Sequence, residues 1–325
     1  HALGGYLISQ FISPHFNDRN DEYGGDFDRR LRFLLEIVDA CRKNVGQDFP
    51  LVVRMSIDEC FPGARGVEDS IKIIQKLQEA GVNAIDAGAG IYESMHMIIP
   101  PVYLPKGVLV DLAAAVKAEV DIPVITQGRL YEPDMAADVI ETGKADFIGM
   151  ARGLLADPEW VEKLQQGKEN EIRKCTTCNS CSNRVLGGLP VRCAVNATAG
   201  RESRFARTPE PAAAQKKVVI VGAGPSGMEC ARIAAEKGHQ VRLYEKSGQL
   251  GGGQLTLASS VPFKTEFTNI MDYYGSQFEN LENLDLIFNK EVSIEEIESE
   301  KPDAVVLATG AQALVPNIPG TDRPN

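Results

Sequence analysis

Four of the seven cysteines lie close together in the sequence, at a spacing that suits a metal site. Two residues separate Cys175 from Cys178 and Cys178 from Cys181, and eleven residues separate Cys181 from Cys193. Thiolates at the first three positions can bind three corners of an iron–sulfur cubane, and a returning loop can supply the fourth. A zinc site is the alternative, but structural zinc usually takes two separated cysteine pairs. The spacing therefore favours a [4Fe–4S] cluster.

A glycine-rich turn follows the apolar run 217–221 and precedes a helical pattern. Gly222 permits the tight turn, Gly224 lets the backbone approach a pyrophosphate, and Gly227 lets the helix pack closely on the strand. Glu245 ends the next apolar run, where an acidic side chain accepts hydrogen bonds from ribose hydroxyls. Together these features predict a dinucleotide site at the start of a helix.

A second glycine-rich loop, 250–254, lies shortly after Glu245 and ends in Gly253 and Gln254. A later apolar run, 304–308, ends at Thr309-Gly310. The glycine fingerprint alone does not separate FAD from NAD. The two additional loops favour FAD.

Arginine residues accompany the apolar runs in the first half of the chain. Arg54 lies inside one run, where a buried cation needs an anionic or electron-rich partner. Gly128, Arg129 and Arg152 follow two later runs, which is where barrels of parallel strands bind phosphate. Guanidinium groups offer paired N–H donors to such a group. The pattern predicts phosphate binding, with ordinary ion-paired loop arginines as the alternative.

Candidate acids and bases are few. Tyr6 is near the start of the chain, and a phenol is protonated at neutral pH, so it can donate a proton to a developing carbanion. His1, Tyr92 and His96 are further candidates. From these residues alone, a packing tyrosine and structural histidines remain the alternatives.

Positioning these residues requires two α/β domains. Four apolar runs, 51–55, 84–87, 123–126 and 147–150, alternate with helical patterns, which is typical of a parallel sheet covered by helices. A closed barrel needs eight such units. We therefore expect residues 1–170 to be the C-terminal half of a (β/α)₈ barrel, in a chain that begins inside that barrel.

The remaining segments follow in order. We expect a cysteine segment at 171–200, a polar linker at 201–216 and an incomplete Rossmann-like FAD-binding domain at 217–325.

Composition excludes several partners. The net charge is −11 and there is no basic run, so neither nucleic acid nor an anionic membrane is an expected partner. No stretch approaches the length of a transmembrane helix. A local cysteine cluster in a large acidic chain indicates metal binding in a reducing compartment, so we expect the cytoplasm.

In this order, the half-barrel, the four cysteines and the Gly222–Gly227 turn resemble the FMN/[4Fe–4S]/FAD branch of the old yellow enzyme superfamily. That branch includes dienoyl-CoA reductases, enoate reductases, bile-acid-induced flavin oxidoreductases and trimethylamine dehydrogenase. Further matching segments are 5–11, 17–25, 53–55, 127–129, 150–152 and 156–158.

The resemblance implies a role for each candidate. Tyr6 would protonate Cα of the substrate. FMN contacts would be Arg54, Gly128, Arg129 and Arg152. Cluster ligands would be Cys175, Cys178, Cys181 and Cys193. FAD contacts would be Gly222, Gly224, Gly227, Glu245, Gly253 and Gln254.

The chain departs from the family pattern at two points. His1 fits the first residue of the family's carbonyl-holding pair, but Gly4 occupies the second position. Tyr92 stands where the dienoyl-CoA reductases have a catalytic histidine, with His96 nearby. These departures weaken an assignment to dienoyl-CoA reduction in particular.

The resemblance implies an NAD(P)H-dependent reductase of an activated C=C bond in a small unsaturated substrate. An amine dehydrogenase and a non-catalytic electron-transfer module are the alternatives. Self-association into a homo-oligomer is left open.

Overall fold

Helices alternate with short parallel strands along the chain in the computed structural model, which describes residues 1–205, 209–312, 314 and 317–321. The chain divides into two compact units, His1–Gly200 and Arg201–Asn325. The α/β expectation, with a half-barrel and a Rossmann-like domain, is confirmed.

The first unit contains a four-stranded parallel sheet in the order β1-β2-β3-β4. Its strands are Val52–Asp58 (β1), Ala84–Ala89 (β2), Val124–Thr126 (β3) and Phe147–Ile148 (β4). Its α-helices are Leu7–Ile12 (α1), Phe27–Val45 (α2), Val67–Glu79 (α3), Met95–Ile98 (α4), Val110–Lys117 (α5), Pro133–Glu141 (α6), Arg152–Ala156 (α7), Trp160–Gln165 (α8) and Ser180–Leu186 (α9). Ala2 forms a parallel bridge with Met55, so the start of the chain lies against β1.

Strand alternation separates the two faces of this sheet. Val53, Met55 and Ile57 are buried in one apolar cluster with residues of α2 and α3. Because successive side chains of a strand point to opposite faces, Arg54 lies on the face away from these helices. The same alternation places Asp86 on that face of β2. The sheet therefore has one apolar face and one face that carries charged groups.

The second unit contains a parallel sheet in the order β7-β6-β5-β8. Its strands are Lys217–Val221 (β5), Gln240–Tyr244 (β6), Leu284–Ile287 (β7) and Ala304–Leu307 (β8). Its α-helices are Pro225–Glu236 (α10), Gly252–Ser259 (α11), Thr268–Glu279 (α12) and Ile294–Ser299 (α13). Val218, Ile220 and Leu243 pack in one buried cluster with apolar residues of α10 and α12. This packing fixes the positions of β5 and α10, and so of the turn between them.

None of the helices in the described part of the chain is long and apolar enough to cross a membrane.

Candidate functional site

A cavity of about 240 Å³ lies at the carboxyl ends of β3 and β4 in the first unit. Its walls include the four residues expected to contact FMN: Arg54, Gly128, Arg129 and Arg152. Ile98, Leu109 and Tyr131 supply apolar surface. The structure thus brings together residues that are far apart in the sequence.

Backbone carbonyl groups orient two of these arginines. Arg129 Nη1 donates to Val102 O at 3.0 Å, and Arg152 Nη1 donates to Pro100 O at 2.8 Å. Arg152 also donates to Asn179 Oδ1. Within the described ranges, Arg152 forms no ion pair with a carboxylate. Its charge is therefore held at the cavity wall by neutral acceptors.

Gly128 is required by close packing. Its φ is +105°, a conformation that favours glycine. A Cβ atom at this position would lie 2.9 Å from Leu109 Cγ and 3.2 Å from Leu109 N. The next residue, Arg129, is itself left-handed at φ +63°. This turn directs the Arg129 side chain, which is 5% exposed, along the cavity wall.

An unpartnered donor provides a test of whether FMN fits this cavity. The Nε atom of Arg54 is buried and has no hydrogen-bond partner among the described residues. A buried donor without a partner costs free energy, and a ligand that accepts hydrogen bonds would relieve that cost. With three arginines and a backbone turn, the donor set suits an anionic ligand that carries carbonyl groups. The residues present fit FMN.

Tyr6 is not among the wall residues of the cavity, and it follows a turn made by two glycines next to one wall residue. Gly4 and Gly5 have φ of +76° and +80°, and Tyr6 caps the amino end of α1. A Cβ atom on Gly4 would lie 3.4 Å from Ile98 Cδ1, and Ile98 is a cavity wall residue. The Tyr6 side chain is 52% exposed. The phenol is therefore accessible near the cavity.

Two further candidates surround Tyr6. The rings of Tyr6 and Tyr92 meet edge-to-face with centroids 5.8 Å apart, and the His1 ring lies 5.5 Å from Tyr6. A hydrogen bond with the Tyr6 side chain raises the pKa of Tyr92. His96 lies in α4, immediately after the turn that carries Tyr92. His1, Tyr6 and Tyr92 thus form one aromatic group.

The cysteine segment brings its thiols near one another. Burial raises the pKa of Cys175 to about 11, and the charges of Cys193 and Cys178 add to that rise. Burial also raises the pKa of Cys193, with contributions from Cys178 and Cys181. Thr177 N donates to Cys175 Sγ at 3.4 Å, so the backbone of the turn already points at a sulfur atom. In the described part of the chain, no group of three or more such side chains is arranged as a metal site.

Tyr131 joins the cavity to the cysteine segment. It is a wall residue of the cavity, and it packs with Cys175 in one buried cluster. Its hydroxyl lies 3.0 Å from Thr177 Oγ1, and its carbonyl oxygen accepts from Trp160 Nε1 at 3.0 Å. One side chain therefore contacts both regions.

A second cavity, of about 460 Å³, lies in the second unit at the carboxyl ends of β5, β6 and β8. Among its wall residues are five expected FAD contacts: Gly222, Gly224, Glu245, Gly253 and Gln254. The sixth, Gly227, packs beneath the turn, since a Cβ atom there would lie 1.8 Å from Gly222 O.

The glycines of this cavity serve two different purposes. Gly222 has φ +104°, and a Cβ atom on it would lie 2.4 Å from Ala308 O. By contrast, a Cβ atom on Gly224 would have only Gly251 O near it, at 4.0 Å, and one on Gly253 would meet nothing within 4 Å. Backbone is therefore left open toward the cavity at Gly224 and Gly253. This open cradle fits the pyrophosphate of FAD.

Glu245 is more constrained than the sequence indicates. It is 4% exposed, and its Oε2 accepts from Ala223 N at 2.8 Å. Its Oε1 accepts from both N and Oγ of Ser247 at 2.9 Å. The carboxylate therefore ties β6 to the glycine turn, and its remaining lone pairs are available to a ribose hydroxyl.

Sequence reasoning missed two residues of the first cavity region, Asp86 and Tyr131. Asp86 pairs with Arg54 across two strands, and its only signal was a charged residue inside an apolar run. Tyr131 had no distinguishing signal, because its two contacts come from segments far apart in the sequence.

Fold and cavities together are those of a flavin-binding α/β oxidoreductase. Residues 1–171 match the model of the NADH:flavin oxidoreductase / NADH oxidase family, and the chain belongs to that family. Residues 216–325 match the pyridine nucleotide-disulphide oxidoreductase model.

Similar proteins include reductases and dehydrogenases. An NADH oxidase of Thermoanaerobacter brockii is 43% identical over 327 residues, which are 100% of this chain and 50% of the relative. An N,N-dimethylglycine/sarcosine dehydrogenase of Chromohalobacter salexigens is 36% identical over 98% of this chain and 46% of its own length. A solved 2-naphthoyl-CoA reductase in complex with 2-naphthoyl-CoA superposes with a TM-score of 0.92 at 37% identity, over 99% of this chain and 49% of that one. The chain spans about half the length of the relatives it matches.

Proposed function

We propose that this chain is part of an NAD(P)H-dependent reductase of activated C=C bonds, with electrons passing from NAD(P)H through FAD, a [4Fe–4S] cluster and FMN to the substrate. The substrate class is an enoate, an enoyl- or dienoyl-CoA, or a related enone. Family membership and the two cavities support the flavins, and the four cysteines support the cluster.

Each group has a set of residues to hold it. FMN would lie against Arg54, Gly128, Arg129 and Arg152, and FAD against Gly222, Gly224, Gly253, Gln254 and Glu245. The cluster would take Cys175, Cys178, Cys181 and Cys193. When bound, FMN supplies a hydride equivalent to the β-carbon of the substrate.

The exposed Tyr6–Tyr92 pair beside the cavity is the observation that carries this proposal. Reduction of a C=C bond leaves a carbanion at the α-carbon that needs a proton. A hydroxyl can accept one hydrogen bond while it donates another. Tyr92 can therefore donate to the Tyr6 oxygen while Tyr6 keeps its own proton for the substrate carbon.

Tyr6→Phe in the holoenzyme tests this role. The variant keeps the ring but removes the hydroxyl that would donate the proton. Reduction of the flavins by NAD(P)H should be nearly unchanged. Reoxidation by an enoate or enoyl-CoA should slow by roughly 10²–10⁴, the contribution of a positioned general acid. Stopped-flow absorbance measures both half-reactions. Reoxidation by a quinone is the control, since it needs no proton at carbon.

An amine dehydrogenase is the second candidate, because one relative is a dimethylglycine/sarcosine dehydrogenase. Exposed Tyr92 and Tyr103 could contact a cationic substrate. In that reaction the substrate reduces the flavin and no carbanion is protonated. If enoate reoxidises Tyr6→Phe at the wild-type rate, Tyr6 only packs, and the proton must come from Tyr92, His96, His1 or water. If no enoate or enoyl-CoA reoxidises the wild-type enzyme while an amine reduces it, the C=C proposal is wrong.

The cluster has its own test. Purified without oxygen, the protein should hold about four iron and four sulfide per chain and negligible zinc. Cys193→Ser should make that iron labile, whereas Cys41→Ser, outside the segment, should not. Iron, zinc and sulfide assays with EPR measure the outcome. Stoichiometric zinc in iron-replete preparations would contradict a [4Fe–4S] site.

We also propose a small unsaturated molecule as the partner, in preference to nucleic acid or a membrane, and the cytoplasm as the location. The net charge of −11 and the clustered thiols support this view.

A further inference from the structure

Three side chains close a hydrogen-bonded triangle at the edge of the first cavity. Arg54 Nη1 donates to Asp86 Oδ2 at 3.2 Å, and Arg54 Nη2 donates to Gln127 Oε1 at 3.0 Å. Gln127 Nε2 then donates to Asp86 Oδ1 at 3.2 Å. Every member of the triangle contacts the other two, so the guanidinium plane of Arg54 is fixed by two neighbours.

The parallel sheet explains how the triangle forms. Arg54 on β1 and Asp86 on β2 are register partners, and Asp86 is in turn paired with Ile125 on β3. Gln127 is two residues beyond Ile125, so its side chain points to the same face. Three adjacent strands therefore deliver the three groups to one side of the sheet.

The members differ in their access to the cavity. Arg54 and Gln127 are cavity wall residues, whereas Asp86 is not among them. The Asp86 side chain is 18% exposed and the Arg54 side chain is 38% exposed. Asp86 therefore does not line the ligand space, but it contacts two residues that do, Arg54 and Gln127.

We propose that Asp86 is a positioning residue that orients Arg54 and offsets part of its positive charge beside FMN, thereby lowering the reduction potential of that flavin. The inference rests on the proposed binding of FMN in this cavity. Asp86 touches neither substrate nor flavin.

The direction of the effect follows from charge. A cation beside a flavin stabilises the form that gains electrons, and a carboxylate paired with the cation opposes this. Asp86→Asn removes the opposing charge at nearly constant shape. Because the partly buried location limits solvent screening, we expect this change to shift the preference for reduced over oxidised FMN by about tenfold.

Asp86→Asn in the holoenzyme should therefore raise the FMN midpoint potential by about 30 mV, the equivalent of tenfold for a two-electron couple. It should also tighten the binding of sulfite, which adds to oxidised flavin and leaves negative charge on the ring, by about tenfold. Dye-coupled spectroelectrochemistry and sulfite titration measure these values without any substrate. Asp39→Asn is the matched control. It removes one carboxylate from the Asp39–Lys43 pair on α2 and should change neither value.

The double variant Asp86→Asn with Gln127→Glu moves the carboxylate to another member of the triangle. It avoids the single change Gln127→Glu, in which two carboxylates in contact would share a proton. The double variant should have a midpoint potential and a sulfite affinity near the wild-type values. If Asp86→Asn loses FMN, the double variant is compared directly with the wild type. An unchanged or lowered potential in FMN-loaded Asp86→Asn, or a double variant whose potential is about 30 mV or more above the wild type, would overturn the inference. A wild-type protein without FMN would instead contradict the proposed function.

Discussion

The two cavities use opposite means to face a phosphate-bearing ligand. In the first unit, arginine side chains from β1 and from the segments after β3 and β4 line the cavity, and one of its glycines, Gly128, serves close packing against Leu109. In the second unit, bare backbone is exposed at Gly224 in the turn after β5 and at Gly253 at the start of α11. Charge is concentrated in side chains in one unit, and in the N–H groups at the start of α10 in the other.

This difference decides how each cavity responds to substitution. A site built from side chains loses one contact when one residue changes, and the rest remain. A site built from backbone is closed completely by one added side chain. We therefore expect single substitutions to lower ligand affinity gradually in the first cavity. In the second cavity, one side chain added at an exposed glycine should abolish binding.

The largest effect is expected from Gly224→Val. Gly224 has φ −72°, and the nearest atom to an added Cβ is 4.0 Å away, so the fold tolerates a side chain. That side chain would enter the cavity and block pyrophosphate. The FAD content of the purified holoenzyme should fall to near zero while FMN stays bound, as measured by HPLC of released flavins.

A matched variant checks that FAD loss is local. A Cβ atom on Gly275 would likewise lie 4.0 Å from its nearest neighbour, Leu250 Cδ1, but Gly275 is in α12 and is not a wall residue of the cavity. It should keep FAD. Retention of both flavins by Gly224→Val would show that the glycine turn does not bind FAD.

A smaller effect is expected from Arg152→Gln. The change removes a charged donor from the first cavity, and a hydrogen bond to a charged group contributes about 1.5–3 kcal/mol. FMN affinity should fall by roughly 10- to 100-fold without complete loss. Titration of the apoprotein with FMN, followed by flavin fluorescence, measures this change.

Lys290→Gln tests whether a charged side chain contributes to ligand affinity in the second cavity as it does in the first. Lys290 is a wall residue of the second cavity and pairs with Glu296. If backbone supplies most of the binding there, FAD affinity should change less than about threefold. If FAD affinity fell as much as FMN affinity falls in Arg152→Gln, side chains would contribute to binding in both cavities alike.

Much of the fold could be predicted from sequence, because strand and helix periods are local signals. The apolar runs 84–87 and 123–126, expected to form parallel strands, correspond to β2, Ala84–Ala89, and β3, Val124–Thr126. The structure also shows what local signals do not reveal. β1 continues to Asp58, and β7 was not predicted because Leu284–Ile287 is short and half-buried. Cys181 lies in helix α9, which the cysteine spacing alone did not predict.

The two cavities also differ in how far their residues could be predicted from sequence. The glycines of the second cavity belong to two short sequence motifs, 222–227 and 250–254, so they could be predicted directly. In the first cavity, only tertiary structure shows that Asp86 contacts Arg54 or that Tyr131 contacts Thr177. Aspartate in a strand and tyrosine in a loop have no periodic signal of their own.

The contact between Tyr131 and Thr177 has a thermodynamic consequence. It joins a wall of the first cavity to the turn that presents the backbone N–H to Cys175. Any free-energy coupling that this contact carries between a ligand in the cavity and a metal centre at the turn must be equal in both directions.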